Sequence, residues 1–239
     1  MRQFFNCHLC GHFAMGTRGY SARLGEAIWR NLLHDGARIT SQSPVQFKAS
    51  GVKAHGLHMI FHETKLEGTF EIQLEPRSDE RGFFARSWCQ KEFEDKRLNH
   101  RLVQCSVSFT SRKGTLRGMH YQEPPHAEAK VVRCTRGAIY DVVVDLRPYS
   151  QTYKDWVAVV LTAEMRNIVY VPEGCAHGFL TLKDNTEVFY QMSESYHPEY
   201  ARGVRWNDPA FRIVWPSKVE VISERDQAYP DFEQVQCIC

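Results

Sequence analysis

The sequence predicts an all-β fold, a double-sheet jelly roll carrying a few short helices. Three observations predict it. Short runs rich in Val, Ile, Tyr, Phe and Thr recur along the chain; breaks such as Arg136-Gly137, Arg147-Pro148 and Pro172-Glu173-Gly174 separate them every 8 to 12 residues or so; and helical periodicity is scarce. Among all-β architectures the jelly roll fits best, because its concave interior lets strands of one sheet aim polar side chains into a barrel mouth.

The first 58 residues stand apart from this pattern. They hold seven Lys/Arg against Glu26 and Asp35, are rich in Gly, Ser and His, and show one amphipathic helical pattern over 24–34. No apolar core followed by a small-residue cleavage site occurs there, which argues against a secretory signal. The segment is expected to be a basic, poorly ordered extension, or to precede a true start at Met59; its arginines and lack of acids also fit an organelle transit peptide. Residues 59–239 are expected to form the jelly-roll domain. Within it, strands are expected over 69–74, 102–109, 131–135, 138–146, 156–161, 167–171, 178–182 and 186–192, with a further strand-like segment over 115–122. Helices are expected over 89–98 and just after Ser223. No repeat of 20 to 50 residues and no low-complexity tract interrupts the series.

Composition narrows the function. The chain has 239 residues, 43% hydrophobic and 12% aromatic, enough to bury a sizeable core. Beyond residue 58 it carries 23 basic against 26 acidic side chains and no long Lys/Arg run, so nucleic acid is not an expected partner. No apolar stretch approaches the roughly 20 residues of a membrane span. Eight cysteines include four scattered singly through the body, a usage that predicts free thiols and a cytoplasmic location. Cys7-His8-Leu9-Cys10 has zinc half-site spacing, yet no second ligand pair follows; Cys237 and Cys239 sit too near the terminus to interpret.

The segment Leu116-Arg117-Gly118-Met119-His120-Tyr121-Gln122 carries the chemistry, together with Lys130 on the next strand. An imidazole, a guanidinium and an ammonium there could remove a proton beside a carbonyl on an anionic substrate. Regular alternation would send His120 and Arg117 to opposite faces; a bulge at Gly118 would bring both to one pocket. Pro172-Glu173-Gly174-Cys175-Ala176-His177-Gly178-Phe179 delivers a second histidine at the start of a strand. Its Pro-x-Gly-x-x-His spacing matches half of the metal-binding cupin pattern, but the companion His-x-His is missing, since Gln122 stands two positions after His120. No metal is therefore assigned. Tyr190 could face inward opposite His120, or be a core tyrosine, and Asp226 alone would pass for an exposed charge.

Read together, these segments resemble the dTDP-4-dehydrorhamnose 3,5-epimerase family of cupin-type jelly rolls. The matching residues also include Asp79-Glu80-Arg81-Gly82-Phe83-Phe84, the run 137–145 and Arg202-Gly203-Val204-Arg205-Trp206-Asn207-Asp208-Pro209, and the likeness spans about residues 59–230. The resemblance implies a cofactor-free homodimeric isomerase acting on a nucleotide-linked 4-keto-6-deoxy sugar. It implies His120 as base, Tyr190 as acid on the opposite face, Asp226 as partner of the histidine and Lys130 near the C4 oxygen. Arg81, Phe84, Gln104, Arg117 and His177 align with substrate-binding positions. Departures fall at Arg86, Ser106, Ala201 and Arg225, all implied binding positions, while the implied catalytic set is intact. A single-centre epimerase, a ketoisomerase, and a non-catalytic or metal-dependent sugar-binding cupin remain alternatives.

Overall fold

The computed structural model describes residues 57–232. The expected helix over 24–34, the Cys7–Cys10 pair, Cys237, Cys239 and nearly all of the basic extension lie outside the described residues. Thirteen strands and two short helices follow in order: β1 (Met59–Glu63), β2 (Phe70–Leu74), β3 (Arg77–Asp79), β4 (Gly82–Phe84), α1 (Gln90–Asp95), β5 (Gln104–Thr110), β6 (Leu116–Gln122), β7 (Lys130–Arg136), β8 (Ala138–Asp145), β9 (Trp156–Thr162), β10 (Ile168–Val171), β11 (Cys175–Thr181), β12 (Thr186–Met192), β13 (Ala201–Gly203) and α2 (Glu224–Gln227). A six-stranded sheet in the order β1-β2-β10-β7-β12-β5 faces a five-stranded sheet in the order β13-β6-β11-β8-β9; β3 and β4 form a separate hairpin. This is the expected all-β jelly roll.

Alternation along the strands builds two cores. Val132 and Cys134 of β7, Val169 and Val171 of β10 and Val188 of β12 meet Ile139 and Val143 of β8, Val157 and Leu161 of β9 and Phe179 of β11 between the sheets. The intervening Val131 and Ile168 face the other way and join Phe70, Ile72 and Tyr170 under α1. There Phe93 makes edge contacts with Phe61 and Tyr170, at centroid distances of 5.5 and 5.8 Å. Period-two geometry thus gives β7 and β10, in the middle of the larger sheet, one face per core. All eight residues of β8 are buried, because its outer face also lies under Trp215 through Tyr140.

Differences from the sequence expectation have local causes. Helix α1 stops at Asp95 because Arg97 adopts a left-handed conformation (φ 58°). Its N–H bonds Glu94 O while Leu98 N–H bonds Phe93 O, at 2.8 and 2.9 Å, closing a Schellman end. Strand β11 starts at Cys175, before the expected 178, since both neighbours β6 and β8 offer pairing partners to that stretch. The short strands β1, β3, β4 and β13 were too brief or too polar to be expected. No helix among the described residues is long and apolar enough to cross a membrane.

Candidate active site

The register between β6 and β11 makes the site. His177 pairs with His120 and Phe179 with Arg117, so two steps along β11 match three along β6. The extra residue is a bulge at Gly118-Met119. Paired residues share a sheet face, and Phe179 points into the core; Arg117 and His120 therefore both turn inward although they are three apart. Glycine is required at the bend: φ is +132°, and a Cβ on Gly118 would lie 2.5 Å from Gly178 Cα.

The bulge opens onto a cavity of about 570 Å³ lined by Arg117, His120, Lys130, His177, Tyr190 and Asp226, among others. A second lobe of about 290 Å³ shares His120, Lys130, Tyr190 and Arg225 and adds Gln104, Ser106 and Ala201. Volumes of this size suit a small-molecule ligand. Lys130 reaches the interior because it lies in phase with Val132 and Cys134 on β7, and Tyr190 because it lies in phase with Val188 on β12.

His120 and Asp226 form a dyad. Asp226 Oδ1 lies 2.7 Å from His120 Nε2, and Asp226 Oδ2 accepts the Gly118 N–H at 3.2 Å. Ser223 caps α2 by accepting the Asp226 N–H at 3.1 Å, which fixes the carboxylate on its short helix. Asp226 is buried while the His120 side chain remains 40% exposed to the cavity. Burial alone would raise the Asp226 carboxyl, yet the hydrogen bond and charge of His120, with help from Gly118 and Ser223, hold it below its usual range. A folded-state pKa below the unfolded one stabilises the fold above the unfolded value, near 4, and that contribution disappears as pH falls through the folded pKa. Asp226→Asn should therefore flatten the acid limb of a stability-versus-pH curve below about pH 4, measured by urea denaturation; an unchanged limb would refute the assignment.

Lys130 Nζ sits 3.0 Å from Glu128 Oε1, both side chains about one-tenth exposed, and donates to His120 O at 3.3 Å. The Tyr190 hydroxyl lies 3.4 Å from Ser108 Oγ. Burial pushes its phenol far above the ordinary tyrosine value, so it keeps its proton. His177 meets Tyr190 edge-on at 6.3 Å and pairs through Nε2 with Asp141 Oδ2 at 2.8 Å. Asp141 is raised by burial, an effect opposed by His177 and by the charge of Lys130. The thiols of Cys134 and Cys175 are pushed up by burial to about 11 and about 12, which removes them as nucleophiles.

Of the residues singled out in the sequence, His120, Tyr190, Asp226, Lys130, Arg117 and His177 line the main cavity and Gln104 the second lobe. Arg81 and Phe84 do not line either. Arg81 is tied to Asp79 on the exposed β3–β4 hairpin, and Phe84 is 68% exposed there. Among the departures, Ser106, Ala201 and Arg225 line the second lobe. Arg86 is instead engaged with Glu92 at 2.6 Å. Sequence reasoning missed Asp141, Glu128 and Ser108. An aspartate in the otherwise apolar run Ile139-Tyr140-Asp141-Val142 was the available signal for the first.

Comparison with known proteins agrees with this geometry. Residues 63–234 match the family described as dTDP-4-dehydrorhamnose 3,5-epimerase. The protein of that name from Methanothermobacter thermautotrophicus is 44% identical over 178 residues, covering 73% of this chain and 95% of its own. The crystal structure of the Elizabethkingia anophelis enzyme superposes with a TM-score of 0.72 at 37% identity, over 74% of this chain and 98% of that one. The Legionella pneumophila epimerase, solved in complex with dTDP-4-keto-L-rhamnose, gives 0.71 at 34% identity over 76% and 96%. With a cavity built from the same motifs that carry the likeness, the chain belongs to the dTDP-4-dehydrorhamnose 3,5-epimerase family.

Proposed function

We propose that this protein epimerises C3 and C5 of dTDP-4-dehydro-6-deoxy-glucose, giving dTDP-4-dehydro-rhamnose. The observation that carries the reading is one cavity lined by the His120–Asp226 pair, Lys130 and Tyr190. Neutral His120 takes the proton α to the C4 ketone, and the C–H electron pair moves into an enolate. The imidazolium formed faces the Asp226 carboxylate, which holds the ring in place at 2.7 Å. The Lys130 ammonium stands by the developing oxyanion. Tyr190 then returns a proton to carbon from the other face. His120 gives up its proton to solvent and the Tyr190 phenolate regains one before the same steps run at the second centre.

Incubation with the dTDP-4-keto-6-deoxy sugar in deuterated water tests this: both C3 and C5 should gain deuterium, and folded protein that exchanges neither would end the proposal. Tyr190→Phe separates the two roles. It keeps the base and loses the acid, so solvent deuterium should still enter from the His120 face with inverted product reduced about 10²- to 10⁴-fold; NMR of exchange against product reports both. Equal loss of exchange and inversion would deny Tyr190 a role limited to reprotonation.

Arg117, His177 and Gln104 bind the nucleotide sugar, the guanidinium of Arg117 being suited to a pyrophosphate. Arg81 and Phe84 join them across a homodimer, where the hairpin of one protomer extends to the cavity of its partner. What supports this is their alignment with binding positions combined with their place outside the chain's own cavity. Phe83, Phe84, Val107 and Phe109 expose 46%, 68%, 59% and 51% of their surface, apolar area that a partner would cover. Sedimentation should give twice the chain mass; a monomer would leave Arg81 and Phe84 without a role.

A further inference from the structure

Two loops beside the second lobe meet at His126, Glu194 and His197. One ligand atom of each lies within 4.8 Å of the others, and each residue is half-buried. The imidazoles of His126 and His197 stack with centroids 3.6 Å apart and planes 25° apart. Tyr200 covers the outer side of His126 at 4.6 Å.

The meeting is held by a buried amide. Gln122, 2% exposed, donates from Nε2 to His126 O and Ser195 O at 3.0 and 3.1 Å and accepts the His197 N–H at Oε1, at 2.6 Å. A single side chain thus fixes the backbones that carry the ligands, before any ion arrives. Glu199 Oε1 lies 3.3 Å from His197 Nδ1. A carboxylate behind one ring nitrogen sets the tautomer and orients the other nitrogen, as it does behind metal-bound histidines. Glu194 Oε1 accepts the Ser195 N–H at 2.8 Å and Oε2 forms a long ion pair with Arg101 at 3.7 Å, the contact an ion would replace.

We propose that His126, Glu194 and His197 bind one divalent transition-metal ion of the zinc class, separate from the epimerase cavity. Two imidazole nitrogens and one carboxylate oxygen suit zinc, nickel, cobalt or copper and are poor partners for magnesium or calcium. Rotations that part the stacked rings bring the three atoms to the roughly 2.0–2.2 Å such an ion needs, with water completing the shell. The ion cross-links the β6–β7 connection to the segment after β12. Glu128 and Tyr196, neighbours of the two histidines in sequence, line the second lobe, so the ion braces that rim and takes no part in proton transfer.

Calorimetric titration of the full chain with Zn²⁺, beside His126→Asn and His197→Asn, tests the site. The unmutated protein should bind one equivalent more per chain than either variant, and Mg²⁺ should show no such difference. Any zinc taken up elsewhere on the chain is common to all three proteins and cancels. Equal stoichiometry, or an equal difference with Mg²⁺, would overturn the proposal. Should a variant fail to fold, the unmutated protein decides: Zn²⁺ should shield His126 and His197 from diethyl pyrocarbonate, read by peptide mass spectrometry, and undiminished modification of both rejects the site.

Discussion

His120→Ala should abolish deuterium entry at both C3 and C5, with turnover down by about 10²- to 10⁴-fold, the usual contribution of a positioned base. Both centres depend on one imidazole because His120 is the ring in the cavity that is paired to a carboxylate and still 40% exposed to the ligand space. His177 cannot substitute: it is 4% exposed and its Nε2 is committed to Asp141. Folding should weaken only in part, since Asp226, its side chain 7% exposed, loses the His120 ring while its Oδ2 keeps the Gly118 N–H. Exchange in deuterated water, paired with a thermal melt, gives both readouts. A folded variant that still exchanges either centre would show that another group acts as base there, and a collapse in stability would make His120 a structural histidine.

Lys130→Met should separate catalysis from stability in a different way. Loss of the ammonium removes the cation nearest the proposed enolate oxygen, and loss of one such preorganised donor costs about 10²- to 10³-fold in kcat. It also strands Glu128, whose carboxylate is 3.0 Å from Nζ and 11% exposed. An unpaired buried carboxylate costs about 1–3 kcal/mol. The double change Lys130→Met with Glu128→Gln should recover most of that stability, by urea denaturation, and none of the turnover. Recovery of both would assign Lys130 a purely structural role.

The pair Lys130–Glu128 also illustrates what sequence reading could reach. Lys130 was legible because a cation at an inward phase of an apolar strand demands an explanation. Glu128 was not, since it precedes β7 and its inward aim depends on the turn taken by the β6–β7 connection. Asp226 shows the same limit: nothing in Ser223-Glu224-Arg225-Asp226 marks a buried carboxylate, and only the docking of the short helix α2 against β6 puts it beside His120. Arg81 and Phe84 mark the opposite case, where family likeness named residues that the chain's own cavity does not include.

The positions of most strands followed from patterning, because period-two alternation is a local property that a strand carries in its own residues; their order in the two sheets did not. The meeting of Arg117 with His120 did not, since a bulge is a relation between two strands, fixed by the close approach of Gly118 to Gly178 and invisible in either alone. Patterning and motifs sufficed for an all-β jelly roll and for naming His120, Lys130 and Tyr190 as candidates for proton transfer. Which charges face one another was settled by folding, because pairing energies depend on distances between segments far apart in the chain, such as the 2.7 Å between His120 and Asp226.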